Sequence, residues 1–228
     1  SRGCHQGCTF CAEPLMNGLR VRYRPVDEVI RQIEICRSRT ISINDADFFA
    51  TPERPKEVMR ALLGRGIRWQ AGVTSKLAQD DHMLELAAES GCTLLSIGFE
   101  SISRETLENV HKHVNRPETF AALVEKVHSH GIMVFGLFMF GFDGDAPTVF
   151  EETARFNIEA GYDACAYSVL TPYPGTLTWC EMKKAGRIVS YDWEKYDQGN
   201  VVYWPARLSP EEVRLGQIAA YERFYSLP

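Results

Sequence analysis

The feature that most limits how this chain can fold is a repeated alternation of amphipathic helices and apolar strands. The first unit pairs a predicted helix, in which Val26, Ile30 and Ile33 recur at helical spacing, with the β-branched run TISIND. The pairing recurs where PKEVMRALLGRG precedes IRWQAGVTS and where DDHMLELAAESG precedes CTLLSIGFES. Nearly continuous apolar strands separated by helices indicate a parallel sheet covered by those helices.

Two more strands are predicted further along the chain, at IMVFGLFMFG and DACAYSVLTPYP, each after a predicted helix. A further helix is predicted over SRETLENVHKH, Gly131 and Gly161 mark predicted helix ends, and Ser209 is the predicted cap of a late helix. Short connections between such units favour right-handed crossovers. We therefore predict an α/β fold with five parallel strands, as a barrel or an open barrel. No strand precedes Ser1, so either the chain was cut from a longer protein there or the barrel lacks one strand. We assign residues 1–186 to the barrel and residues 187–228 to a C-terminal extension that packs on it.

The overall composition excludes several classes of function. The chain has 228 residues, of which 45% are hydrophobic and 24% charged, as in ordinary globular proteins. Its net charge of -5 gives no basic field for wrapping nucleic acid, so we expect no nucleic-acid partner. No apolar run approaches the roughly 18 residues needed to cross a bilayer, and the N-terminus lacks the layout of a signal peptide. We therefore expect no membrane span and a cytoplasmic location.

Polar side chains collect at the carboxyl ends of the predicted strands, where the loops of a parallel α/β barrel converge. Asp45 and Asp47 follow the first strand, Glu100 and Ser101 the third, and Asp145 the fourth. Strand ends also meet water and can be polar for that reason alone. Acids at three such ends, together with a nearby cluster of thiols, favour a functional site.

Three cysteines lie within the first eleven residues, in the stretch SRGCHQGCTFC. Clustered thiols in a reducing compartment bind metal or perform chemistry more often than they form disulfides. A structural zinc site normally has four ligands, and Cys4, Cys8 and Cys11 supply three. Three thiolates on a cubane iron-sulfur cluster leave one iron open for a substrate or cofactor, which is typical of a catalytic site.

The spacing Cys-x3-Cys-x2-Cys, with Phe10 before the last cysteine, resembles the signature of the radical S-adenosylmethionine (SAM) enzymes. The resemblance covers nearly the whole chain and implies a partial (β/α)6 TIM-like barrel with a 4Fe-4S cluster on Cys4, Cys8 and Cys11. It also implies that SAM chelates the open iron and that Phe10 belongs to the cofactor-binding residues. Reduction then cleaves SAM to methionine and a 5'-deoxyadenosyl radical, which abstracts hydrogen from a small-molecule substrate. The expected electron donor is a low-potential flavodoxin or ferredoxin.

The same resemblance implies contacts with SAM at the strand ends. DADFF looks like the acidic segment that faces the methionine amino group. Related sequences tend to have two adjacent acids there, whereas Ala46 lies between the two acids here, so Asp45 is the better candidate and the role of Asp47 is open. IGFES resembles the element in which Glu100 and Ser101 meet the ribose and methionyl part of SAM. FGLFMFGFDGD resembles the strand that lies against adenine, where Gly141 lets the backbone approach a flat ring.

The segments IGFES and LTPYPGT and the tail DWEKYDQGNVVYWPARLSPEEV look most like the class whose members often carry an upstream cobalamin-binding domain. An intact protein of that class would use methylcobalamin to methylate an unactivated carbon, or cobalamin in another radical step. Three alternatives remain open. They are a radical SAM enzyme without cobalamin, an iron-sulfur electron-transfer protein and a zinc-stabilised binding module, of which the second needs a fourth cluster ligand.

Overall fold

A computed structural model of the chain describes residues 1–76 and 80–226. Within them the structure has five strands: β1 (Thr40–Ile43), β2 (Arg68–Val73), β3 (Cys92–Glu100), β4 (Met133–Phe140) and β5 (Ala164–Val169). Neighbouring strands pair in parallel in the order β1-β2-β3-β4-β5. The edge strands β1 and β5 do not pair with each other among these residues, so the barrel is open. The predicted α/β fold with five parallel strands is confirmed.

Helices connect the strands: α1 (Glu13–Asn17), α2 (Val26–Cys36), α3 (Glu53–Leu62), α4 (Asp81–Glu89), α5 (Arg104–Asn109), α6 (Phe120–Ser129), α7 (Val149–Glu159), α8 (Leu177–Lys184) and α9 (Pro210–Tyr225). Short 3-10 turns lie at Pro117–Thr119 and Trp193–Lys195. In the described part of the chain, no helix has both the length and the apolar character needed to span a membrane.

The two faces of the sheet differ in burial. On the helix-covered face, Phe99 of β3 is fully buried and meets Phe120 of α6 edge to face, with ring centroids 4.6 Å apart. The alternate side chains, such as Gln70 of β2 and Met139 of β4, are exposed or half-buried. The helices cover the outer face of the sheet, as the sequence predicts, and the open barrel leaves the inner face accessible.

The ends of several helices follow from local sequence. Ser209 caps α9 in a reciprocal capping box, in which the Ser209 hydroxyl accepts from the Glu212 amide and the Glu212 carboxylate accepts from the Ser209 amide. Gly131 and Gly161 follow α6 and α7 with φ of +72° and +76°, a conformation that costs little only for glycine. These terminations agree with the sequence prediction.

The outer edge of β5 is closed by side chains of α9. The Tyr225 hydroxyl accepts from the Cys165 amide at 2.9 Å and donates to the Cys165 carbonyl at 2.8 Å. One turn earlier, the Tyr221 hydroxyl accepts from the Tyr167 amide at 3.0 Å. Gln217 then donates to the Tyr167 carbonyl at 2.6 Å. Four helical residues advance about 6 Å and two strand residues about 6.6 Å, so the turn from Tyr225 to Tyr221 matches the step from Cys165 to Tyr167.

This closure explains why an edge strand at the end of the sheet does not present free backbone groups. The helix α9, which lies in the predicted C-terminal extension, packs on β5 and α7. The division of the chain at residue 187 stays a prediction. Residues 227–228 of the predicted extension lie outside the described residues.

Candidate active site

The three clustered cysteines lie on a tightly held loop before α1. Cys4 and Cys8 are buried and Cys11 is half-buried. The Cys4 amide donates to the Gly18 carbonyl at 3.2 Å, and the Cys11 amide donates to the Cys8 carbonyl at 3.2 Å. The loop turns at Gly7, whose φ is +68°. The thiols are therefore brought together by backbone contacts within the first eighteen residues.

Burial has the largest effect on the pKa values of these thiols, and a nearby ammonium group opposes it. Burial raises the pKa of the Cys8 thiol to about 11 and also raises the pKa of Cys11, whereas the nearby Lys112 acts in the opposite direction on both. Burial opposes the charge of Lys112, but Glu100 and then Cys8 raise its pKa above the ordinary value. A buried ammonium ion beside thiols stabilises the thiolate, which is the form that binds metal.

The chemistry of this donor set fits an iron-sulfur cluster, since Cys thiolates are the usual ligands of such clusters. In the part of the chain that the structure describes, no three His, Cys, Asp or Glu side chains are arranged to hold a single metal ion. The predicted cluster ligands Cys4, Cys8 and Cys11 lie on the same loop, and their role stays a prediction.

Glu100 ends β3 beside this loop in an unusual backbone conformation. Its φ is +66°, which is strained for a residue with a side chain, and the pairing of β3 with β4 shifts register between Gly98 and Glu100. Its Oε1 accepts from Lys112 Nζ at 3.0 Å. Its Oε2 takes part in no hydrogen bond within the described residues. Glu100 therefore presents one free carboxylate oxygen beside the thiols.

A hydrogen-bond network holds the strained end of β3 in place. Asn115 Nδ2 donates to the carbonyls of Gly98 at 2.8 Å and Phe99 at 2.7 Å, and the Ser75 hydroxyl donates to Asn115 Oδ1 at 2.7 Å. A Cβ atom at Gly98 would lie 2.5 Å from Glu100 Oε1, so a larger residue there would displace the Glu100 carboxylate. Local strain of this kind is typical of functional sites, where the surrounding structure maintains it.

A cavity of about 250 Å³ opens next to Cys11 and Glu100 on the inner face of the sheet. It is lined mostly by apolar groups: Phe10, Cys11, Ala12, Glu100, Leu137, Phe138, Met139, Ser168, Leu170, Thr171, Tyr173 and Gln198. Phe10 is half-buried and meets Phe142 edge to face at 6.2 Å. The site thus joins a thiol loop, one carboxylate and an apolar chamber.

The two acids after β1 have different surroundings. Asp47 is buried and accepts from the amides of Phe49 at 3.1 Å and Thr74 at 3.3 Å and from the Thr74 hydroxyl at 3.1 Å. It therefore ties the end of β1 to the end of β2. Asp45 is half-buried, borders a polar cavity of about 350 Å³ and accepts from the Ser1 hydroxyl at 2.8 Å. These contacts favour Asp45 over Asp47 as the acid that faces a ligand.

Ser101 and Gly141 are both engaged by protein groups. The Ser101 hydroxyl accepts from the Ser103 amide at 3.1 Å. The Gly141 amide donates to Asp145 Oδ2 at 2.8 Å, and its carbonyl accepts from the Tyr203 hydroxyl at 2.5 Å. Gly141 has φ of +96°, and a Cβ atom there would lie 2.2 Å from the Tyr203 hydroxyl oxygen. Packing against the C-terminal part therefore requires glycine at 141, and its contact with adenine stays a prediction.

Two residues of this region were not identified from the sequence. The helix predicted over SRETLENVHKH ends at Asn109, and the chain turns at His111 with φ of +58° so that Lys112 is buried against Glu100. A lysine between two histidines carries no sequence signal for burial. Tyr203 was noted only as one of several aromatic residues in the tail, although it is fully buried.

Comparisons with known proteins agree with this geometry. The model of the radical SAM superfamily matches residues 1–157. Bacteriochlorophyllide d C-12(1)-methyltransferase of Chlorobaculum tepidum is 34% identical over 219 residues, which are 93% of this chain and 48% of that protein. Bacteriochlorophyllide d C-8(2)-methyltransferase of the same organism is 26% identical over 238 residues, which are 99% of this chain and 53% of that protein. The chain spans about half the length of these curated relatives.

Solved structures support the fold. The structure of the radical SAM methyltransferase TsrM from Kitasatospora setae, with cobalamin and a 4Fe-4S cluster bound, matches this chain with a TM-score of 0.72 at 20% sequence identity. The match covers 83% of this chain and 37% of the TsrM chain. The structure of the cobalamin-dependent SAM radical enzyme OxsB matches with a TM-score of 0.71 at 17% sequence identity, and the match covers 95% of this chain and 39% of the OxsB chain. With a family model that matches most of its length, the chain belongs to the radical SAM superfamily.

Proposed function

We propose that this chain is the catalytic domain of a cobalamin-dependent radical SAM methyltransferase that methylates an unactivated carbon of a small molecule. One observation carries the proposal: the three thiols, the free oxygen of Glu100 and an apolar cavity meet at the same end of the sheet. Similarity to two bacteriochlorophyllide methyltransferases supports the methylation. Cobalamin in the TsrM and OxsB structures supports the use of cobalamin, through a part of the protein outside this chain.

Cys4, Cys8 and Cys11 would hold the 4Fe-4S cluster as thiolates, and the Lys112 ammonium group offsets part of their negative charge. A cluster bound to these thiolates would supply the electron for the reductive cleavage of SAM. The buried position of Cys4 and Cys8 keeps bulk water away from the thiolates. Lys112 also fixes one oxygen of Glu100, so that the other is oriented toward the site.

Polar groups around the thiol loop would bind SAM. Glu100 Oε2 is available to accept from a hydroxyl or ammonium group, and Ser101 has a hydroxyl proton to donate. Asp45 is half-buried at the edge of a polar cavity, where its carboxylate can accept from an ammonium group of the ligand. Phe10 offers an apolar surface in the cavity. Gly141 would be the backbone position beside adenine, and Asp47 would hold the end of β1 in place.

The cavity suits an apolar part of the substrate. Leu137, Met139 and Leu170 contribute to its apolar lining, while Ser168 and Tyr173 add two hydroxyl groups. Because apolar walls stabilise apolar ligands and leave charged ones without partners, a hydrocarbon side chain fits better than a charged group. The expected electron donor remains a low-potential flavodoxin or ferredoxin, and a cytoplasmic location stays a prediction.

The proposal is tested on the full-length protein, reconstituted anaerobically with iron, sulfide and cobalamin. SAM labelled in its methyl group is added under reducing conditions, and the label on cobalamin and the amount of 5'-deoxyadenosine are measured. Labelled methylcobalamin together with 5'-deoxyadenosine supports a cobalamin-dependent methyltransferase. Cleavage of SAM without bound cobalamin would instead favour the alternative of a radical SAM enzyme that works without it.

A further inference from the structure

We propose that a basic stripe beside the thiol loop, formed by Arg2, Arg20, Arg22 and Arg24, is the docking surface for the electron donor. The occupant is a small acidic protein that carries one electron at low potential. The inference rests on the proposed function, because it assumes a cluster that must be reduced. It adds where on this chain the donor binds.

The stripe is built by two chain segments that pair next to the cluster loop. Arg2 and Arg22 form an antiparallel bridge, in which the Arg2 amide donates to the Arg22 carbonyl at 3.0 Å and the Arg22 amide to the Arg2 carbonyl at 2.8 Å. Residues opposed in this way present their side chains on the same side. Arg20 and Arg24 lie two residues before and after Arg22, and all four arginines are exposed.

The positive charge of the basic stripe is not neutralised by the protein. None of its four arginines takes part in a salt bridge within residues 1–76 and 80–226. The only acid among the first 24 residues is Glu13, whose carboxylate accepts from the Gly3 amide and from Asn17. Like charges placed opposite each other across two strands are destabilising, so the Arg2 and Arg22 pair has a cost that an acidic partner would relieve.

The basic stripe is also directly coupled to the cluster loop. Arg2 is two residues from Cys4, so their Cα atoms are at most about 7 Å apart. The Cys4 amide donates to the Gly18 carbonyl, on the segment that carries the other three arginines. A Cβ atom at Gly3 would lie 2.4 Å from the Arg20 carbonyl oxygen, so the two segments pack as closely as glycine allows. A carrier bound to these arginines would therefore lie beside the loop that holds Cys4.

The chemistry of the step is a transfer of one electron. The reduced carrier loses one electron and the oxidised cluster gains it, with no bond formed or broken and no proton required at the surface. The electrostatic attraction accelerates the encounter of an acidic carrier with the stripe and weakens as the salt concentration rises. Binding and salt dependence can therefore be measured separately from SAM cleavage.

The test compares two charge reversals of equal size in the full-length protein. The stripe variant is Arg20→Glu/Arg22→Glu, and the matched control is Arg60→Glu/Arg155→Glu, which changes exposed arginines on α3 and α7. The dissociation constants for an acidic flavodoxin and an acidic ferredoxin are measured at low and at physiological salt. Each protein is also reduced with dithionite, a small reductant that needs no docking surface, and SAM cleavage is recorded.

We expect the stripe variant to bind at least one carrier about tenfold or more weakly at low salt and to lose most of the salt dependence, with the control within about twofold. Cleavage driven by dithionite should be equal in all three proteins. Equal carrier binding by the stripe variant and wild type, or binding of neither carrier by wild type, would overturn the proposal. So would loss of dithionite-driven cleavage in the stripe variant alone. Failure of wild type to cleave SAM with dithionite would instead count against the proposed function.

Discussion

Replacing Lys112 by methionine should destabilise the protein strongly, because it leaves the Glu100 carboxylate buried without its cation. The two charged atoms are 3.0 Å apart, with only 9% of the Lys112 side chain and 12% of the Glu100 side chain exposed. At an effective dielectric constant of about 20, this separation corresponds to about 5 kcal/mol. Removing one partner of a buried pair typically costs about 3–5 kcal/mol. With a urea m-value of about 2 kcal/mol per M, the unfolding midpoint should fall by about 2 M.

The assay is urea unfolding of the metal-free protein, followed by circular dichroism under reducing conditions. The double variant Lys112→Met/Glu100→Gln removes both charges and should recover most of the loss, since neutral replacements of a buried pair are often tolerated. Arg214→Met is the matched control, because it breaks the exposed pair of Arg214 with Glu211 and should leave the midpoint unchanged. A loss below about 1 kcal/mol for Lys112→Met, or a double variant as unstable as the sum of the single ones, would refute the reasoning.

Four further predictions follow from other contacts of the structure. Burial raises the pKa of Asp145 to about 6, so its folded form retains a proton that the unfolded form releases near pH 4. The free energy of unfolding of wild type relative to Asp145→Asn should therefore fall by about 3 kcal/mol as the pH rises from about 4 to 7, and a constant difference would contradict this. Gly141→Ala should lower the free energy of unfolding by about 2–4 kcal/mol, because of the positive φ and the clash with the Tyr203 hydroxyl. The loss should be smaller in a Tyr203→Phe background, where the nearest remaining ring atom is 3.4 Å away, and additive losses in urea unfolding would contradict this. Tyr225→Phe leaves the Cys165 amide and carbonyl without partners and should cost about 1–3 kcal/mol in urea unfolding, whereas an unchanged midpoint would show that α9 does not close the sheet edge. Glu100→Gln should weaken SAM binding in calorimetry without lowering the iron content, and equal loss of both would indicate a structural acid.

Much of the fold could be predicted because local chemistry and tertiary structure agree in most elements. The apolar spacing in α2 and the capping box of Ser209 and Glu212 in α9 are set by residues a few positions apart, and both elements form where the sequence predicts them. The loop of three cysteines is equally local. Its spacing predicts thiols close together, and the structure places them on one loop.

The remaining features depend on contacts between distant segments. The helix α5 ends four residues earlier than predicted because Lys112 turns in to meet Glu100, and no local signal such as glycine or proline marks that end. The sequence suggests that Asp47 faces a ligand, but its carboxylate accepts hydrogen bonds from the amide and hydroxyl of Thr74 at the end of the neighbouring strand. Gly141 likewise has a packing partner, Tyr203, that lies 62 residues away. Only three-dimensional proximity identifies such partners.

The most direct test of the central claim is an anaerobic measurement of SAM cleavage by wild type and by single alanine variants of Cys4, Cys8 and Cys11. Each protein is reconstituted with iron and sulfide, its iron is counted, and 5'-deoxyadenosine and methionine are assayed after reduction with dithionite. Cys180→Ala, at an exposed cysteine on α8, is the control. The account predicts about four irons and cleavage in wild type and the control, with cleavage abolished in each of the three variants while circular dichroism shows a folded protein. Retained cleavage in all three variants, or zinc in place of iron in wild type, would contradict it.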